Sequence, residues 1–426
     1  MSRLPASIRA DYKTVRGLLR RNLIARTFEL LFPKICFEID FQDGDIRKIG
    51  SGVSTLKVAP PSLLEICKIL LNPNFRLPES FVNGKWFVSE GELAEFVVLM
   101  TRRTGARANN SGIGMGIRNF VRHIYKQYLH VAATREARHH YNKDPRIYQI
   151  VLGPSMIYSC AFFNNEDHKL EGAQSNKLKT TLTRLLAGAP VQNILDIGCG
   201  WGGFVLFASQ NTEAQIDGIS IAQSQIDYAT KEAMKLEKTT RERVHFFCED
   251  YVNFKPNHFD LYDRIVSIGM LEHVGKTQYG RYFGEIRRLL RSGGIALVHS
   301  ITRPDTGITN EWIDRHIFPG GYVPRMSEVV RGIENAGLRV ETCFRHDGYN
   351  YKKTLQCWLE NLGNCEGECL AIFSQQLQRE HANAELVERN SRRAYRVWYF
   401  YLSSIQCIFD QRGGAYDVTQ LVIRKV

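Results

Sequence analysis

A glycine-rich segment is the first candidate for chemistry in this 426-residue chain. It reads Asp196-Ile197-Gly198-Cys199-Gly200-Trp201-Gly202-Gly203. Glycines let the backbone turn tightly and approach a ligand closely. The segment is neither the dinucleotide fingerprint nor a P-loop, because the G-x-x-G step and the terminal Lys-Ser/Thr pair are missing. An acidic side chain before the glycines can meet an ammonium group, so the pattern favours S-adenosylmethionine over a pyrophosphate.

Predicted strands and helices alternate around this loop. The strands cover residues 194–197, 215–219, 244–247, 261–268 and 295–300, and the helices cover residues 204–208, 223–238 and 280–290. This alternation indicates a parallel sheet with helices on both faces. The loop then leaves the carboxyl end of the first strand, at the edge where open α/β sheets bind nucleotides.

The first third of the chain has a different pattern. Residues 1–145 predict a smaller, mostly helical domain, with a strand at residues 35–41 and a short amphipathic helix at residues 63–71. Apolar residues recur at three- and four-residue steps from Ile113 to Val131, which predicts one stripe of a further helix. Residues 146–426 then form the α/β domain that carries the glycine-rich loop.

Positive charge is concentrated in the first third of the chain. The formal charge is +12, with 24 Lys and Arg against 13 Asp and Glu in residues 1–150, and 32 against 31 in the remainder. This excess favours an anionic partner, either nucleic acid or acidic phospholipid headgroups. Arg118, Arg122 and Lys126 lie beside the apolar stripe, as in helices that lie on membranes and in helices docked on a core. No nucleic-acid-binding motif accompanies the charge, so a membrane surface is the expected partner and nucleic acid is not.

Nothing in the sequence indicates a secreted or membrane-spanning protein. No segment approaches the ~18 apolar residues of a membrane span. The first residues carry charged side chains in place of the apolar core of a signal peptide. The 10 cysteines have no paired spacing that would indicate disulfides. We therefore expect a cytoplasmic protein with reduced thiols that associates peripherally with the membrane.

The glycine-rich loop and its surroundings resemble one known family. Leu195 to Gly203 is similar to the S-adenosylmethionine-binding loop of class I methyltransferases, in the form found in cyclopropane-fatty-acyl-phospholipid synthases and mycolic acid cyclopropane synthases. The resemblance covers residues 140–410 almost continuously and extends more weakly to residues 79–86. Similar blocks occur in the same order at residues 158–163, 269–275, 299–301, 317–324 and 351–358.

The resemblance implies a fold and a reaction. The fold is the Rossmann-like class I methyltransferase sheet with helices on both faces and a helical insertion on the lipid side, beside the smaller N-terminal domain. The reaction is methyl transfer from S-adenosylmethionine to a cis double bond of an unsaturated phospholipid acyl chain, followed by loss of a proton to a bound bicarbonate ion and closure of a cyclopropane ring. An anionic membrane surface is the implied partner, and a homodimer is compatible with the resemblance.

The resemblance also implies roles for individual residues. Imidazole, phenol and amide donors suit a bound anion, and a carboxylate can orient bicarbonate by accepting from its hydroxyl group. The implied bicarbonate site consists of Cys160, Glu272, His299, Tyr351 and the Ile301 amide. No metal site is expected. The implied cofactor site has Tyr158 and Ser159 at the methionine carboxylate, Asp196, Gly198 and Gly200 along the loop, Ser220 and Gln225 near the ribose, and Asp250 near the adenine.

An alkene is a poor nucleophile, so the surroundings of the double bond matter. Methyl transfer leaves positive charge on carbon, and a dry, aromatic site stabilises it without attacking it. Phe162, Phe163, Phe318 and Tyr322 lie in the similar segments. One departure from the family pattern is Asn142, which stands where the family usually has Asp.

Two alternatives stay open at this point. The first is a related methyltransferase that methylates a lipid or a small amine without ring closure. The second is a non-catalytic membrane- or nucleic-acid-binding protein that uses the basic N-terminal residues. The set of Cys160, Glu272, His299 and Tyr351 favours ring formation over the first alternative. The same set together with the glycine-rich loop argues against the second.

Overall fold

The computed structural model describes most of the chain. The described residues are 15–31, 36–42, 44–50, 56–89, 91–97, 144–164, 169–256, 261–305, 307, 309–379, 383–409 and 416–426. The helix predicted from Ile113 to Val131, with Arg118, Arg122 and Lys126, and the position of Asn142 lie outside these residues. Within the described part, no helix is both long and apolar enough to cross a membrane.

The elements are numbered here in chain order. The helices are α1 (Val15–Leu31), α2 (Leu63–Leu71), α3 (Pro73–Val82), α4 (Pro145–Leu152), α5 (Leu170–Leu186), α6 (Gly203–Ser209), α7 (Gln223–Ala233), α8 (Lys238–Arg241), α9 (Tyr279–Leu289), α10 (Glu311–His316), α11 (Met326–Asn335), α12 (Gly348–Asn364), α13 (Glu366–Gln378) and α14 (Ala384–Ile405). The strands are β1 (Phe37–Asp40), β2 (Ile46–Ile49), β3 (Lys57–Ala59), β4 (Phe87–Val88), β5 (Asn193–Ile197), β6 (Gln215–Ser220), β7 (Val244–Cys248), β8 (Tyr262–Ile268), β9 (Leu290–Thr302), β10 (Leu338–His346) and β11 (Asp417–Lys425).

The chain forms two compact units. The first comprises residues 1–117, 310–312 and 365–407, and the second comprises residues 118–309, 313–364 and 408–426. Helix α14 belongs to the first unit because it packs on α3: the rings of Phe81 and Phe400 are 5.4 Å apart, and Arg393 pairs with Glu79 at 2.9 Å. The division into domains at residues 145 and 146 stays a prediction, since one unit is built from three stretches of chain.

The first unit contains a small sheet in the order β2-β1-β3-β4. The predicted strand at residues 35–41 is confirmed as β1, and the predicted helix at residues 63–71 is confirmed as α2. A cap fixes the start of α2, because the Ser62 side chain accepts a hydrogen bond from the Glu65 amide. Strands β2, β3 and β4 were not predicted, and they are only two to four residues long.

The second unit is built on a seven-stranded sheet in the order β10-β11-β9-β8-β5-β6-β7. Strands β5 to β9 pair in parallel, which confirms the predicted alternation of strands and helices. Two further strands, β10 and β11, were not predicted, and they make the sheet mixed, because β11 pairs antiparallel with both β9 and β10. The predicted helix at residues 223–238 ends earlier, at Ala233.

Side chains from the central strands alternate between the two faces of this sheet. On one face Leu195 and Ile265 pack with residues of α9 and α11, and on the other face Ile194 and Val266 pack with residues of α5, α6 and α7. Both faces of β5 and β8 are therefore buried by helices. This rigid layer carries the glycine-rich loop at its carboxyl edge.

Candidate active site

A cavity lies in the second unit at the carboxyl ends of β5, β6 and β8. Its empty volume, with the open mouth included, is about 1160 Å³. Open α/β sheets bind ligands at this edge. All eight residues predicted to bind the cofactor line the cavity: Tyr158, Ser159, Asp196, Gly198, Gly200, Ser220, Gln225 and Asp250.

The backbone of the glycine-rich loop is held against the end of β6. The amides of Gly198 and Cys199 both donate to the Ile219 carbonyl, at 2.9 and 3.0 Å. Gly198 and Gly200 have φ angles of +82° and +54°, a conformation that favours glycine. A Cβ atom at Gly198 would come within 2.8 Å of Met270, whereas one at Gly200 would meet nothing within 4 Å. The loop is therefore fixed, with Gly200 bordering open space.

Asp196 is a buried carboxylate on the wall of this cavity. Its side chain is 2% exposed, and Oδ1 has no hydrogen-bond partner among the described residues. Burial raises the pKa of Asp196 to about 7, against the opposing effect of the Lys177 ammonium. A buried oxygen without a hydrogen-bond partner lowers the free energy of unfolding. The ammonium group of S-adenosylmethionine fits this oxygen.

The side chains near the predicted ribose and adenine positions are oriented by short contacts. Ser220 Oγ donates to Gln225 Oε1 at 2.8 Å and accepts from the Ala222 amide at 3.3 Å. Asp250 Oδ1 accepts from the Val252 amide at 3.1 Å. These bonds fix the orientation of the polar groups that Ser220, Gln225 and Asp250 present on the cavity wall.

Helices α5 and α12 hold the segment that carries Tyr158, Ser159 and Cys160. Gln174 on α5 donates to the Ser159 carbonyl at 3.0 Å. The Ala161 amide donates to Thr354 Oγ1 on α12 at 3.0 Å. The segment follows α4 without forming a strand or helix of its own, so these contacts decide where its side chains lie.

Glu272, just beyond β8, and Ile301, near the end of β9, form a partly buried pair. The Ile301 amide donates to Glu272 Oε1 at 2.7 Å, and Oε2 has no hydrogen-bond partner among the described residues. Burial raises the pKa of Glu272, and the bond from Ile301 opposes that rise. The Ile301 amide was predicted to hold an anion, but here it donates to the carboxylate, because the two strand ends are adjacent.

The other three residues of the predicted bicarbonate site are buried or packed on aromatic rings. Burial raises the pKa of the Cys160 thiol and lowers the pKa of His299 far below its usual range, so both are neutral. The ring of Tyr351 lies 4.5 Å from that of Phe409.

None of the five residues of the predicted bicarbonate site is part of the cavity wall, but several adjoin it. Cys160 follows Ser159 in the chain and Glu272 precedes His273, while the His299 carbonyl accepts from the Gly269 amide at 2.9 Å. Ser159, His273 and Gly269 all line the cavity.

Comparison with known proteins identifies the family. A family model described as mycolic acid cyclopropane synthetase matches residues 130–384. The chain belongs to this family. It is 28% identical over 376 residues to the cyclopropane-fatty-acyl-phospholipid synthase of Escherichia coli (strain K12), a match that covers 85% of this chain and 86% of that protein.

Solved structures agree with this assignment. The mycolic acid cyclopropane synthase CmaA1 complexed with SAH and CTAB is 26% identical, with a TM-score of 0.57, and the match covers 68% of this chain and 98% of that one. Coclaurine N-methyltransferase shares the fold at 16% identity, with a TM-score of 0.60 over 82% of this chain and 98% of that one. The protein is thus an S-adenosylmethionine-dependent methyltransferase of the cyclopropane synthase type. The predicted family, fold class and enzyme class are confirmed.

The aromatic residues predicted for this cyclopropane synthase family member have different surroundings. Phe162 stacks on His346 and His299, with ring centroids 4.0 and 5.9 Å apart. Phe318 lies 6.2 Å from Tyr158, a residue of the cavity wall. Phe163 and Tyr322 are engaged elsewhere: Lys353 Nζ lies 4.5 Å from the Phe163 ring centre, and the Tyr322 hydroxyl donates to Glu328 at 2.8 Å.

Lys177 is a residue of the cavity wall that the sequence analysis missed. Its side chain is 1% exposed, Nζ donates to Ser159 Oγ at 3.1 Å, and no described carboxylate forms an ion pair with it. Burial lowers the pKa of Lys177 to about 8. The signal in the sequence is a polar stripe of Gln174, Lys177 and Thr181 on an otherwise apolar helix face.

Replacing Lys177 by methionine should separate ligand binding from stability. We expect S-adenosylmethionine to bind about 10- to 100-fold more weakly, since a hydrogen bond to a charged group contributes roughly 1.5 to 3 kcal/mol. We expect the free energy of unfolding to rise, because the variant removes an unpaired buried ammonium. This difference in the free energy of unfolding should shrink above pH 8. There the folded wild-type protein loses the Lys177 proton, which the unfolded chain keeps up to about pH 10.5, so the wild type gains stability as the pH rises.

Titration calorimetry and thermal melts at pH 7 and pH 10 measure both effects. The exposed Lys231→Met on α7 is the control, and neither quantity should change in it. A Lys177→Met protein of lower stability with wild-type affinity would show that Lys177 only supports the fold.

Proposed function

We propose that the enzyme forms cyclopropane rings on cis double bonds of unsaturated phospholipid acyl chains, with bicarbonate as the proton acceptor. The relative in E. coli carries the name cyclopropane-fatty-acyl-phospholipid synthase and aligns over most of this chain. The observation that carries the proposal is the buried Oε2 atom of Glu272, which has no hydrogen-bond partner among the described residues and lies next to the cofactor cavity. Ring closure requires loss of a proton from carbon, and an acceptor in a water-poor site serves that step.

S-adenosylmethionine supplies an electrophilic methyl group when it is bound. The chain offers an acceptor for its ammonium group in Asp196, and donors for its carboxylate in Ser159 and Lys177. The ordered Ser220 and Gln225 would meet the ribose hydroxyl groups. These groups come from β5, β6, α5, α7 and the segment after α4, so binding fixes the orientation of the ligand in the cavity.

Competing nucleophiles near the cavity are suppressed by burial. The thiolate form of cysteine is the reactive one, and burial raises the pKa of Cys160 so that it stays protonated. His273 on the cavity wall has its pKa lowered to about 4 by burial, so it adds no positive charge at neutral pH. The neutral Cys160 and His273 do not repel positive charge on the carbon of a lipid alkene, and aromatic rings such as Phe162 and Phe318 would tolerate that charge.

The residues assigned to bicarbonate have the chemistry that such an ion requires. A bound bicarbonate ion supplies a base in a site that excludes water. The His299 imidazole and the Tyr351 hydroxyl are donors for such an anion, and Glu272 Oε2 is an acceptor for its hydroxyl group. The neutral Cys160 thiol donates to the Ala161 carbonyl at 3.2 Å and would have to leave that bond to act as a third donor. The buried Lys177 charge acts on both Cys160 and His299, and a positive charge near these residues favours the binding of an anion.

Product analysis tests the reaction. Purified enzyme, S-adenosylmethionine and vesicles of a monounsaturated phospholipid are incubated, and the fatty acid methyl esters are examined by mass spectrometry. We expect a product heavier by one methylene group that resists hydrogenation. A chain heavier by a methylene group and two hydrogens would be methyl-branched, and it would show that the enzyme methylates the chain without closing a ring.

We also propose that the enzyme works at an anionic membrane surface from the cytoplasmic side. The basic excess in residues 1–150 supports this. A homodimer stays a prediction of the sequence analysis, which the mass of the enzyme in solution would test.

Replacing Arg118, Arg122 and Lys126 together by glutamine should weaken binding to anionic vesicles. Each basic residue near the membrane surface contributes about 1 kcal/mol of attraction. Sedimentation with vesicles at low and high salt measures the loss and its salt dependence. The control replaces the exposed Lys231, Lys235 and Lys238, which removes equal charge from the methyltransferase unit. Equal losses in both triple variants would show that net charge alone matters.

A further inference from the structure

A chain of buried hydrogen bonds joins α5, β11 and β9 behind the predicted bicarbonate site. Arg184 Nη1 donates to Gln420 Oε1 at 2.6 Å, and Gln420 Nε2 lies 3.2 Å from His299 Nδ1. Gln420 and His299 face each other in the register of β11 and β9. Gln420 is fully buried and His299 is 2% exposed. These contacts are not part of the cavity wall.

The donor and acceptor of every bond in this chain can be assigned. A guanidinium only donates, so the oxygen of the Gln420 amide must face Arg184. The Gln420 NH₂ group therefore faces Thr181 Oγ1, at 2.8 Å, and His299 Nδ1. The Thr181 hydroxyl donates its own proton to the Lys177 carbonyl at 2.7 Å, so it accepts a hydrogen bond from Gln420. His299 Nδ1 must then accept the second amide proton.

This assignment fixes the position of the proton on His299. A neutral imidazole carries one proton, and since Nδ1 accepts a hydrogen bond, the proton lies on Nε2. Burial, with further effects from Lys177, His346 and Arg184, lowers the pKa of His299 well below its usual range, so a second proton is absent at neutral pH. His346 is also an acceptor, since its Nε2 lies 3.1 Å from Arg184 Nη1. His299 Nε2 has no hydrogen-bond partner within the described part of the chain.

We propose that Arg184 and Gln420 are positioning residues that hold His299 in the Nε2–H tautomer, so that this nitrogen donates a hydrogen bond to the anion that accepts the substrate proton. The inference rests on the proposed function for the identity of the anion. The tautomer itself follows from the hydrogen bonds alone. Neither positioning residue touches the reacting atoms; both act through His299.

Gln420→Glu is the decisive variant. One oxygen of the new carboxylate still accepts from Arg184. The other oxygen also only accepts and now lies next to His299 Nδ1, so a hydrogen bond between them requires a proton on Nδ1. Nitrogen NMR of enzyme labelled at histidine should show wild-type His299 protonated at Nε2 only, and the variant protonated at Nδ1. A His299→Gln spectrum assigns the signals. Sodium bicarbonate should shift the His299 Nε2–H signal of the wild type.

The expected effect on the reaction is a fall in turnover of about 10- to 100-fold, the loss typical when the partner that orients a functional histidine is changed. Affinity for S-adenosylmethionine should stay unchanged. Gln420→Met removes both bonds without adding charge and should give a mixture of tautomers. Gln210→Glu, at an exposed residue of the same unit, is the control and should match the wild type.

Each outcome decides a separate point. A wild-type His299 protonated at Nδ1 overturns the inference, whatever the lipid product. The inference is also overturned if Gln420→Glu or Gln420→Met changes the protonated nitrogen of His299 but leaves turnover and the bicarbonate response as in the wild type. In that case the reaction does not depend on the tautomer. If the wild type makes no cyclopropane product, the proposed function fails, and the bicarbonate shift of the Nε2–H signal still decides whether His299 meets an anion.

Discussion

Glu272→Gln is expected to bind S-adenosylmethionine with wild-type affinity and to lose roughly 10²-fold or more in turnover, the scale of removing a positioned acid-base group. The variant can keep the hydrogen bond from the Ile301 amide, because the glutamine oxygen can take the place of Oε1. It loses the charge and the second acceptor, Oε2. Bicarbonate depletion should slow the wild type strongly and the variant much less, because both changes disable the same step.

The pKa of Glu272 gives a way to separate this role from a structural one. Burial raises that pKa, so the folded state binds the proton more tightly than the unfolded chain. The free energy of unfolding therefore falls as the pH rises from the pKa of the unfolded chain to that of the folded state. Glu272→Gln should therefore be at least as stable as the wild type at neutral pH. If Glu272 merely supported the end of its strand, stability and cofactor affinity would fall together.

Melting temperature, calorimetry and steady-state turnover measure the three quantities. Glu311→Gln is the control, because Glu311 is a carboxylate with only 6% exposure that belongs to the other unit. Its turnover should be within a few-fold of the wild type. A stable Glu272→Gln protein that binds the cofactor and turns over at the wild-type rate would remove Glu272 from the mechanism.

Gly200→Val is expected to abolish binding of S-adenosylmethionine. A Cβ atom at this position meets no protein atom within 4 Å, and Gly200 lines the cavity. The valine side chain would therefore occupy space that the ligand needs. At φ +54° a branched residue is also strained, by about 1 to 3 kcal/mol. The variant should thus be somewhat less stable and, once folded, unable to bind.

Gly188→Val separates these two effects. Gly188 also has a positive φ, +72°, and a Cβ there also meets nothing within 4 Å, but it is exposed beyond the end of α5. Both variants should lose similar stability in thermal melts, and only Gly200→Val should lose the calorimetric signal of binding. Wild-type affinity in a folded Gly200→Val protein would exclude the loop from the cofactor site.

The cavity at the carboxyl edge of the sheet could be predicted from the sequence because its signals are local. The apolar run of β5 and the glycines after it define a strand and a turn within a dozen residues, and parallel strands bring their carboxyl ends to one edge. Ser220 and Asp250 follow the next strands in the same way. Their position on one cavity wall with Gly198 and Gly200 could therefore be predicted without knowledge of side-chain packing.

The resemblance added Cys160, Glu272, His299 and Tyr351, but not their environment. Burial decides that Cys160 and His299 are neutral, and the burial of one residue depends on elements far away in the chain. The engagement of the Ile301 amide by Glu272 likewise depends on the adjacent ends of β8 and β9.

Only the tertiary structure could reveal Lys177 and the chain from Arg184 to His299. Lys177 lies on a helix whose apolar pattern predicts a core face, and its role follows from the segment of Ser159 that packs on it. Gln420 belongs to β11, an antiparallel strand inserted between β9 and β10 that the alternating pattern did not predict. Its register with His299 joins residues 121 positions apart. Sequence periodicity reports which face of an element is apolar, whereas strand pairing over such a separation is decided by the packing of the whole sheet.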